Sequence, residues 1–366
     1  MKDLLRIANL SPADLELLLD EAAAAKTEPY RHAELLRGDT VALYFARPST
    51  RSRLALQTAV TRLGGVPLSL GPGELHSDRG EPLEDTARVM SSYVRAIVVR
   101  GFADHDLRRL ARAASVPVLN ALTDGHDPCQ VLAGLLTLRE RWGRLAGRRV
   151  AYVGDGGNVA HSLLEAAALA GMDIAVATPY GLEPHPEVVA LARALAAMHG
   201  SRVQLLLDPA AAVQDADAVV TDAWMSMHDP ERARAARAQL LEAFRVDERL
   251  LAAAKPGVVF LHCLPAYRGQ EVSGQVIDGP RSLVWQQAAD LLPIAHAVLG
   301  LLLDGRLHGH ADGPTVPDDT GPLAAAITEA IRHRGGPPAS ALAGWPGVQV
   351  GGQGPLAAGR TASRAL

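Results

Sequence analysis

The chain has 366 residues, of which 48% are hydrophobic and 21% are charged, and its formal net charge is -4 at pH 7. This composition is typical of a globular protein and excludes the basic excess of a nucleic-acid-binding protein. Domains usually contain roughly 100 to 200 residues, so the length predicts two domains. Cys129 and Cys263 are the two cysteines, too few for a disulfide framework, which favours a reducing compartment.

The N-terminus has no signal-peptide pattern, and no uninterrupted apolar run reaches the roughly 18 residues of a membrane span. We therefore expect a soluble, cytoplasmic protein with neither nucleic-acid nor membrane partners. Its ligands are expected to be small neutral or anionic molecules.

In chain order, Ser11 and Pro12 begin an N-capped amphipathic helix that extends to about Lys26. Short apolar runs then alternate with segments long enough for helices. The runs are continuous and rich in Val, Ile and Leu, which predicts strands covered on both faces. They are VALYF (41–45), AIVV (96–99), VPVLNAL (116–122), RVAYVG (149–154), DIAVATP (173–179), VQLLL (203–207), AVVTDAW (218–224) and VVFLHCL (258–264).

This alternation predicts an α/β fold of two domains, each with a central parallel sheet flanked by helices. A polar, glycine-interrupted segment at 139–149 marks the boundary, so we place the first domain at 1–138 and the second at 149–282. A long apolar helix follows at 283–303 despite an internal proline. The tail, 304–366, is rich in Gly, Pro and Ala and is expected to be largely disordered from about residue 334.

The sequence ARPSTRSR lies between the strand at 41–45 and an amphipathic helix. A helix start offers free backbone N–H groups and a partial positive charge, and Ser49, Thr50, Ser52 and Arg51 add hydroxyl and guanidinium donors. This pattern predicts a phosphate site. The alternative is an ordinary helix cap with surface arginines.

Polar residues also end two further strands, Arg100 after AIVV and the segment NALTDGHDPCQ (120–130) before a helix beginning near Pro128. Ligand groups in α/β proteins collect at the carboxyl ends of parallel strands. Together with ARPSTRSR, these residues favour one site.

Glycines in YVGDGGNVAHSLLEAA (152–167) resemble a dinucleotide-binding turn only weakly. Val159 occupies the third glycine position, and the strand DIAVATP ends without the acidic residue that holds a ribose hydroxyl. The alternative is that Asn158 and its loop present amide groups to a small ligand.

Two later strand ends carry Asp222, Ser226 and Met227, and His262, Cys263 and Leu264. An acid and amide groups facing one crevice suit the ammonium and carboxylate of an amino acid. Cys263 and His262 as a nucleophile and base are disfavoured, because adjacent strand residues point to opposite faces. His262 is expected to be a satisfied buried histidine, and the HGH at 308–310 is too short to indicate a metal site.

Five motifs in order, FARPSTRSR, LTDGHDPCQVLA, VGDGGNVAHSLL, DAWMSM and HCLPAYRGQEV, resemble the ornithine carbamoyltransferase family over about residues 3–303. The resemblance implies a carbamoyl-phosphate domain, then an amino-acid domain, then a C-terminal helix that returns to the first domain. It also implies trimers or multiples of trimers with active sites between subunits. No metal or organic cofactor is implied.

The resemblance assigns residues to each ligand, with Arg51, Arg100 and Cys263 as the catalytic set. Carbamoyl phosphate would contact Ser49, Thr50, Arg51, Ser52, Arg100 and Gln130, with His76 and Asp127 at two further family positions. The amino acid would contact Asn158, Asp222, Ser226, Met227, Cys263 and Leu264.

Four positions depart from the family pattern. Asp127 and His76 stand where the family has a histidine donor and a glutamine, Leu291 replaces an arginine, and His228 replaces a loop glycine. A carboxylate only accepts hydrogen bonds, although His126 could substitute as the donor after a local backbone change. Three hypotheses follow: carbamoyl transfer to ornithine or another diamino acid such as 2,3-diaminopropionate, a related transferase with a different donor, or a catalytically weak relative that binds an amino acid or a partner enzyme.

Overall fold

The computed structural model describes residues 1–224 and 231–309. Within these ranges the helices are α1 (Pro12–Thr27), α2 (Thr50–Arg62), α3 (Leu83–Ser91), α4 (Asp104–Ala113), α5 (Pro128–Trp142), α6 (Asn158–Leu169), α7 (Pro186–His199), α8 (Pro209–Val213), α9 (Glu231–Leu241), α10 (Glu248–Ala252), α11 (Gly274–Ile277) and α12 (Val284–Leu303). The strands are β1 (Thr40–Phe45), β2 (Val66–Leu70), β3 (Ala96–Phe102), β4 (Val118–Thr123), β5 (Arg149–Val153), β6 (Asp173–Ala177), β7 (Val203–Leu206), β8 (Ala218–Thr221) and β9 (Val259–His262).

The strands form two parallel sheets, as the alternation of apolar runs predicts. The first has the order β2-β1-β3-β4 and the second the order β7-β6-β5-β8-β9. In each sheet the chain first adds strands on one side of the sheet's first strand and then adds the remaining strands on the other side. The reversal falls between β1 and β3 in the first sheet and between β5 and β8 in the second. Loops leaving strands at such a reversal open a crevice at their carboxyl ends, which is where α/β proteins bind ligands.

The helix α12 follows the second sheet along the chain and returns to the helices of the first sheet. It packs against α1, α2 and α5, and Ile294 and Val298 belong to an apolar core that also contains Val41 of β1 and Val150 of β5. By length and composition α12 could cross a membrane, but 72% of its most apolar window is buried inside the protein. That burial is typical of a core helix, and the helix predicted at 283–303 is confirmed.

Strand β2 is absent from the sequence prediction. Val66 and Leu68 are exposed on this edge strand, and Pro67 lacks the N–H that a central strand would need. The segment therefore lacks the continuous buried apolar run by which the other strands were predicted. Several predicted strands also end a few residues early or late: β3 continues through Arg100 to Phe102, and β9 stops at His262.

The expected disorder of the tail concerns residues beyond 309, which lie outside the described residues. The same holds for Ser226, Met227 and His228.

Candidate functional site

The crevice of the first sheet is formed by the start of α2, immediately after β1. Ser49 is the N-cap of this helix, and its Oγ accepts a hydrogen bond from the backbone N–H of Ser52 at 3.3 Å. Ser52 is buried, whereas Thr50 is exposed. The predicted helix start is therefore present, and a helix start offers backbone N–H groups that have no partner within the helix.

Arg51 and Arg100 bring two positive charges into this crevice. Arg51 lies in the first turn of α2, and Arg100 on β3 donates from Nη1 to the carbonyl of Ala121 at 3.0 Å. The Nε atoms of both arginines are buried and have no hydrogen-bond partner among the described residues. Burial, together with the neighbouring charge of Arg100, lowers the pKa of Arg51. Two neighbouring guanidinium groups whose buried Nε atoms lack partners suit the binding of an anion.

Asp127 lies at the start of α5 and faces the same two arginines. Its Oδ1 accepts from the backbone N–H of Gln130 at 3.3 Å. Burial raises the pKa of Asp127 to about 7, against the opposing charges of Arg100 and Arg51 and with the added effect of Asp222. The residue that departs most in charge from the family pattern therefore lies inside the anion crevice.

The second sheet contributes residues from β8 and β9. The Cys263 Sγ donates to Asp222 Oδ1 at 2.9 Å, and burial and this carboxylate raise the thiol's pKa well above its usual value. A thiol held in its neutral form is a poor nucleophile. Leu264 follows with a φ of 58°, a conformation that is uncommon for a residue other than glycine. Such backbone concentrates at functional sites.

Asn158 lies at the start of α6, at the reversal of the second sheet. Its Nδ2 donates to the carbonyl of Thr123 at 2.9 Å, which links it to the end of β4. Gln130 and Cys263 line one small, mostly apolar cleft between α5, α6, β9 and α12. Residues predicted from the two sheets thus meet at one crevice.

We define the crevice cluster as Arg51, Arg100, Asp127, Asp222 and Cys263. The charges of Asp127 and Asp222 oppose the lowering of the Arg51 pKa by burial. Asp222 and Asp127 also raise the pKa of the Cys263 thiol, whereas Arg51 lowers it. The sequence predicted every member of this cluster as a site residue, and the family resemblance already grouped Cys263 with Arg51 and Arg100.

The expectation that His262 and Cys263 point to opposite faces is wrong. Ligand atoms of Asp222, His262 and Cys263 all lie within 4.8 Å of one another, because β9 ends at His262 and strand alternation does not continue to Cys263. His262 Nδ1 nevertheless accepts from the backbone N–H of Leu264 at 2.8 Å, and Nε2 lies 3.4 Å from Glu271 Oε1. Nε2 is buried and makes no hydrogen bond among the described residues, so only Nδ1 of the expected satisfied histidine is paired.

His126 does not take the place of the missing donor. Its Nδ1 lies 2.8 Å from Asp104 Oδ2 and its Nε2 lies 3.2 Å from Glu165 Oε1, so both ring nitrogens face carboxylates. Arg6 binds the same Glu165 carboxylate through Nε at 2.8 Å. We call Arg6, Asp104, His126 and Glu165 the buried charge network. The suggested substitution by His126 is therefore excluded without a rearrangement of this network.

The network sets the protonation of its members. Burial disfavours a charged imidazole, but Glu165 and Asp104 outweigh it and raise the pKa of His126 to about 9. Burial would likewise raise the pKa of Glu165, yet Arg6 and His126 hold it far below its usual range. Sequence reasoning missed this network, although a glutamate inside the apolar helix NVAHSLLEAAAL signals a buried partner.

A second missed pair lies beside the crevice. Arg237 on α9 binds the Asp155 carboxylate and donates from Nε to the carbonyl of Trp224 at 2.7 Å. Burial raises the pKa of Asp155 to about 6, although Arg237 opposes the shift. Asp155 closely follows the end of β5 and could have been predicted, whereas nothing distinguishes Arg237 from the other arginines of its helix.

Two predicted positions lie apart from the cluster. His76 is exposed on the short 3-10 helix His76–Arg79, and no contact among the described residues connects it to the crevice. Leu291 is buried in the apolar core on α12.

Gly156 of the glycine-rich turn packs against the backbone of 182–184, where an added Cβ would lie 2.2 Å from the Pro184 nitrogen. That glycine is explained by packing rather than by a bound pyrophosphate.

Comparisons with known proteins agree with this geometry. The family model for the carbamoyl-phosphate-binding domain of aspartate/ornithine carbamoyltransferases matches residues 2–140. The model for the aspartate/ornithine-binding domain of the same family matches residues 146–302. The chain belongs to the ornithine carbamoyltransferase family.

Named relatives are similar over most of their length. The ornithine carbamoyltransferase of Acidothermus cellulolyticus is 48% identical over 296 residues, which cover 81% of this chain and 95% of that relative. The solved structure of ornithine carbamoyltransferase from Pyrococcus furiosus has 43% sequence identity to this chain and a TM-score of 0.80, over 83% of this chain and 97% of that one. The crystal structure of the Gloeobacter violaceus ornithine carbamoyltransferase has 43% sequence identity and a TM-score of 0.75, over 83% of this chain and 99% of that one. As a member of this family, the protein is a carbamoyltransferase with carbamoyl-phosphate and amino-acid domains.

Proposed function

We propose that the protein moves the carbamoyl group of carbamoyl phosphate to the side-chain amine of ornithine, or of another diamino acid such as 2,3-diaminopropionate. One observation carries this proposal: the buried Nε atoms of Arg51 and Arg100 have no partner among the described residues and adjoin Asp222 and Cys263 of the second sheet. An anion site thereby adjoins a carboxylate that can hold an ammonium. The names of the relatives support ornithine as the first amine to test.

In the proposed reaction the neutral side-chain amine attacks the carbonyl carbon of carbamoyl phosphate. A C–N bond forms, the bond from carbon to the phosphate oxygen breaks, and phosphate leaves with the electron pair. The amine's proton ends on the departing phosphate, giving the ureido amino acid and hydrogen phosphate. Arg51, Arg100 and the N–H groups of α2 stabilise the phosphate's charge, and no covalent enzyme intermediate is required.

The remaining assignments rest on the family resemblance. For the donor we propose Ser49, Thr50, Ser52, Gln130, Asp127 and a neighbouring subunit's His76. For the amino acid we propose Asn158, Asp222, Ser226, Met227, Cys263 and Leu264. Cys263 acts as a neutral hydrogen-bonding thiol rather than a nucleophile, in keeping with its raised pKa.

We also propose the domain boundaries 1–138 and 149–282, followed by the returning helix 283–303. A homotrimer or a multiple of trimers, a cytoplasmic location, and the absence of membrane and nucleic-acid partners complete the proposal. Sedimentation equilibrium of the full chain tests the oligomer, with a monomer or dimer contradicting it.

The function is tested by incubating the protein with carbamoyl phosphate and, separately, ornithine, lysine, 2,4-diaminobutyrate and 2,3-diaminopropionate. We expect a ureido product with one of these amines. No product with any of them contradicts the proposal.

A second candidate, a related transferase with a different donor, is favoured by the carboxyl group of Asp127 at a position where the family has a donating imidazole. Product from another acyl or carbonyl phosphate, without product from carbamoyl phosphate, would establish that alternative.

A further inference from the structure

Asp127 is a buried carboxyl group in a crevice that must receive an anion. It is 2% exposed. The charged and titratable groups that face it come from several elements. They are Arg51 of α2, Arg100 of β3, Cys129 of α5, Asp222 after β8 and Cys263 after β9.

The charges around Asp127 do not balance once the donor is bound. Arg51 and Arg100 supply two positive charges, and ionised Asp127 and Asp222 already offset both of them. Carbamoyl phosphate adds a further doubly charged phosphate, while Leu291 stands where the family pattern has an arginine. Taking up one proton at a carboxylate is the direct way to reduce this excess of negative charge.

Asp127 is the better of the two carboxylates to take up that proton. Asp222 Oδ1 accepts from Cys263 Sγ at 2.9 Å and from the backbone N–H of Ala223 at 2.7 Å, so this oxygen already has two hydrogen-bond donors. Asp127 accepts a longer bond, 3.3 Å, from the N–H of Gln130. It is also more deeply buried than Asp222.

We propose that Asp127 binds the donor as the neutral acid and donates its O–H to the carbonyl oxygen of carbamoyl phosphate. This inference rests on the proposed function and assigns the role of the absent imidazole donor to a protonated carboxyl group. A carboxylic acid has one O–H donor, which a carboxylate lacks. The proton stays on Asp127, and the hydrogen bond strengthens as negative charge develops on the carbonyl oxygen during attack.

The acid–base properties of Asp127 support this role. Burial already raises its pKa to about 7, and a neighbouring phosphate dianion raises it further. The neutral form is therefore accessible at neutral pH in the complex.

The first experiment measures kcat/KM against pH for the wild type, Asp127→Asn and Asp127→Ala. The wild-type value should fall as pH rises above about 7, because the free enzyme loses the donated proton. The asparagine amide donates at every pH, so this variant should lose the alkaline fall and keep activity within about tenfold. Alanine has no donor and should lose about 100-fold or more. An asparagine variant as inactive as the alanine variant would overturn the proposal.

The second experiment does not require turnover. Sulfate, which does not titrate in this range, and carbamoyl phosphate are each titrated into the protein at pH 8 in buffers of different ionisation enthalpy. Wild type and an Asp290→Asn control, which alters a buried carboxyl outside the crevice cluster, should take up a proton on binding, whereas Asp127→Asn should not. Absence of uptake in the wild type, equal uptake in Asp127→Asn, or binding of neither anion would overturn the proposal. If no amine yields product but uptake depends on Asp127, the proposed reaction fails while the protonation of Asp127 stands.

Discussion

The crevice cluster and the buried charge network both place ionisable groups inside the protein, but they differ in whether those groups have hydrogen-bond or ion-pair partners. In the network, Glu165 binds Arg6 and His126, and Asp104 binds the other ring nitrogen of His126. In the cluster, the Nε atoms of Arg51 and Arg100 lack partners among the described residues. Buried polar groups are normally paired, so a fully paired network indicates structural support, whereas unpaired buried donors indicate a binding site.

This contrast predicts opposite results for mutations in the two regions. Changes in the buried charge network should lower the free energy of unfolding. Changes in the crevice cluster should lower activity with little effect on stability.

The largest expected effect is that of Glu165→Ala. Removing this carboxylate leaves the charge of Arg6 without its partner in the network and takes one of the two carboxylates from His126, which should lower the free energy of unfolding by about 3 to 5 kcal/mol. Urea denaturation of the variant and the wild type measures this change in the free energy of unfolding. Glu34→Ala is the matched control, because Glu34 pairs with Arg37 on the surface and its loss should cost less than about 1 kcal/mol. Equal stability losses in the two variants would contradict the assignment of a structural network.

Arg51→Ala should have the next largest effect, but on activity. Loss of a donor that stabilises charge in the transition state typically costs about 3 to 4 kcal/mol, so kcat/KM should fall by about 10² to 10³-fold. Stability should change by less than about 1 kcal/mol, because the Arg51 Nε has no partner to lose. Arg37→Ala should leave kcat/KM unchanged, and unchanged turnover in Arg51→Ala would show that the anion site lies elsewhere.

The His126 ring predicts a pH dependence of stability. Its pKa is about 9 in the folded protein, above the unfolded value of about 6.5, so its contribution is complete below about pH 6.5 and is lost as pH rises through 9. Each pKa unit corresponds to about 1.4 kcal/mol, so the loss should reach up to about 3 kcal/mol. Unfolding free energies from pH 6 to about 10 should show this slope in the wild type and a reduced slope in His126→Gln. Parallel slopes would contradict a charged His126.

The smallest effect concerns Ser49, which belongs both to the fold and to the crevice. Ser49→Ala removes the N-cap bond to Ser52 and should cost about 1 kcal/mol of stability, whereas Ser49→Asp keeps the cap. The carboxylate introduced by Ser49→Asp would add a negative charge beside Arg51, so that variant should bind carbamoyl phosphate more weakly than the wild type at full stability. Binding as tight as that of the wild type would indicate that α2 does not contact the donor.

Local sequence signals predicted much of the fold. The start of α2, the start of α5 at Pro128 and the long apolar α12 are each specified by caps or continuous apolar runs. Strand β2 was missed because its exposed edge carries Pro67. The prediction fails where a tertiary neighbour, rather than the local pattern, determines the structure.

The candidate site shows the same division. Arg51 follows β1 and Arg100 lies near the end of β3, so the parallel topology of the first sheet predicts that they gather at one edge. Their grouping with Asp222 and Cys263 of the second sheet was implied only by the family resemblance. The pairing of His126 with Asp104 and Glu165 could not be predicted, because these partners are 22 and 39 residues away along the chain. Only packing between elements shows that His126 is committed to the network and leaves Asp127 in the crevice.

The most direct test of the central claim is an experimental structure with carbamoyl phosphate bound. Our account predicts that phosphate oxygens lie within hydrogen-bond distance of the first turn of α2 and of the Arg51 and Arg100 Nε atoms. A donor bound elsewhere, with both Nε atoms still unpaired beside Asp127, would contradict it.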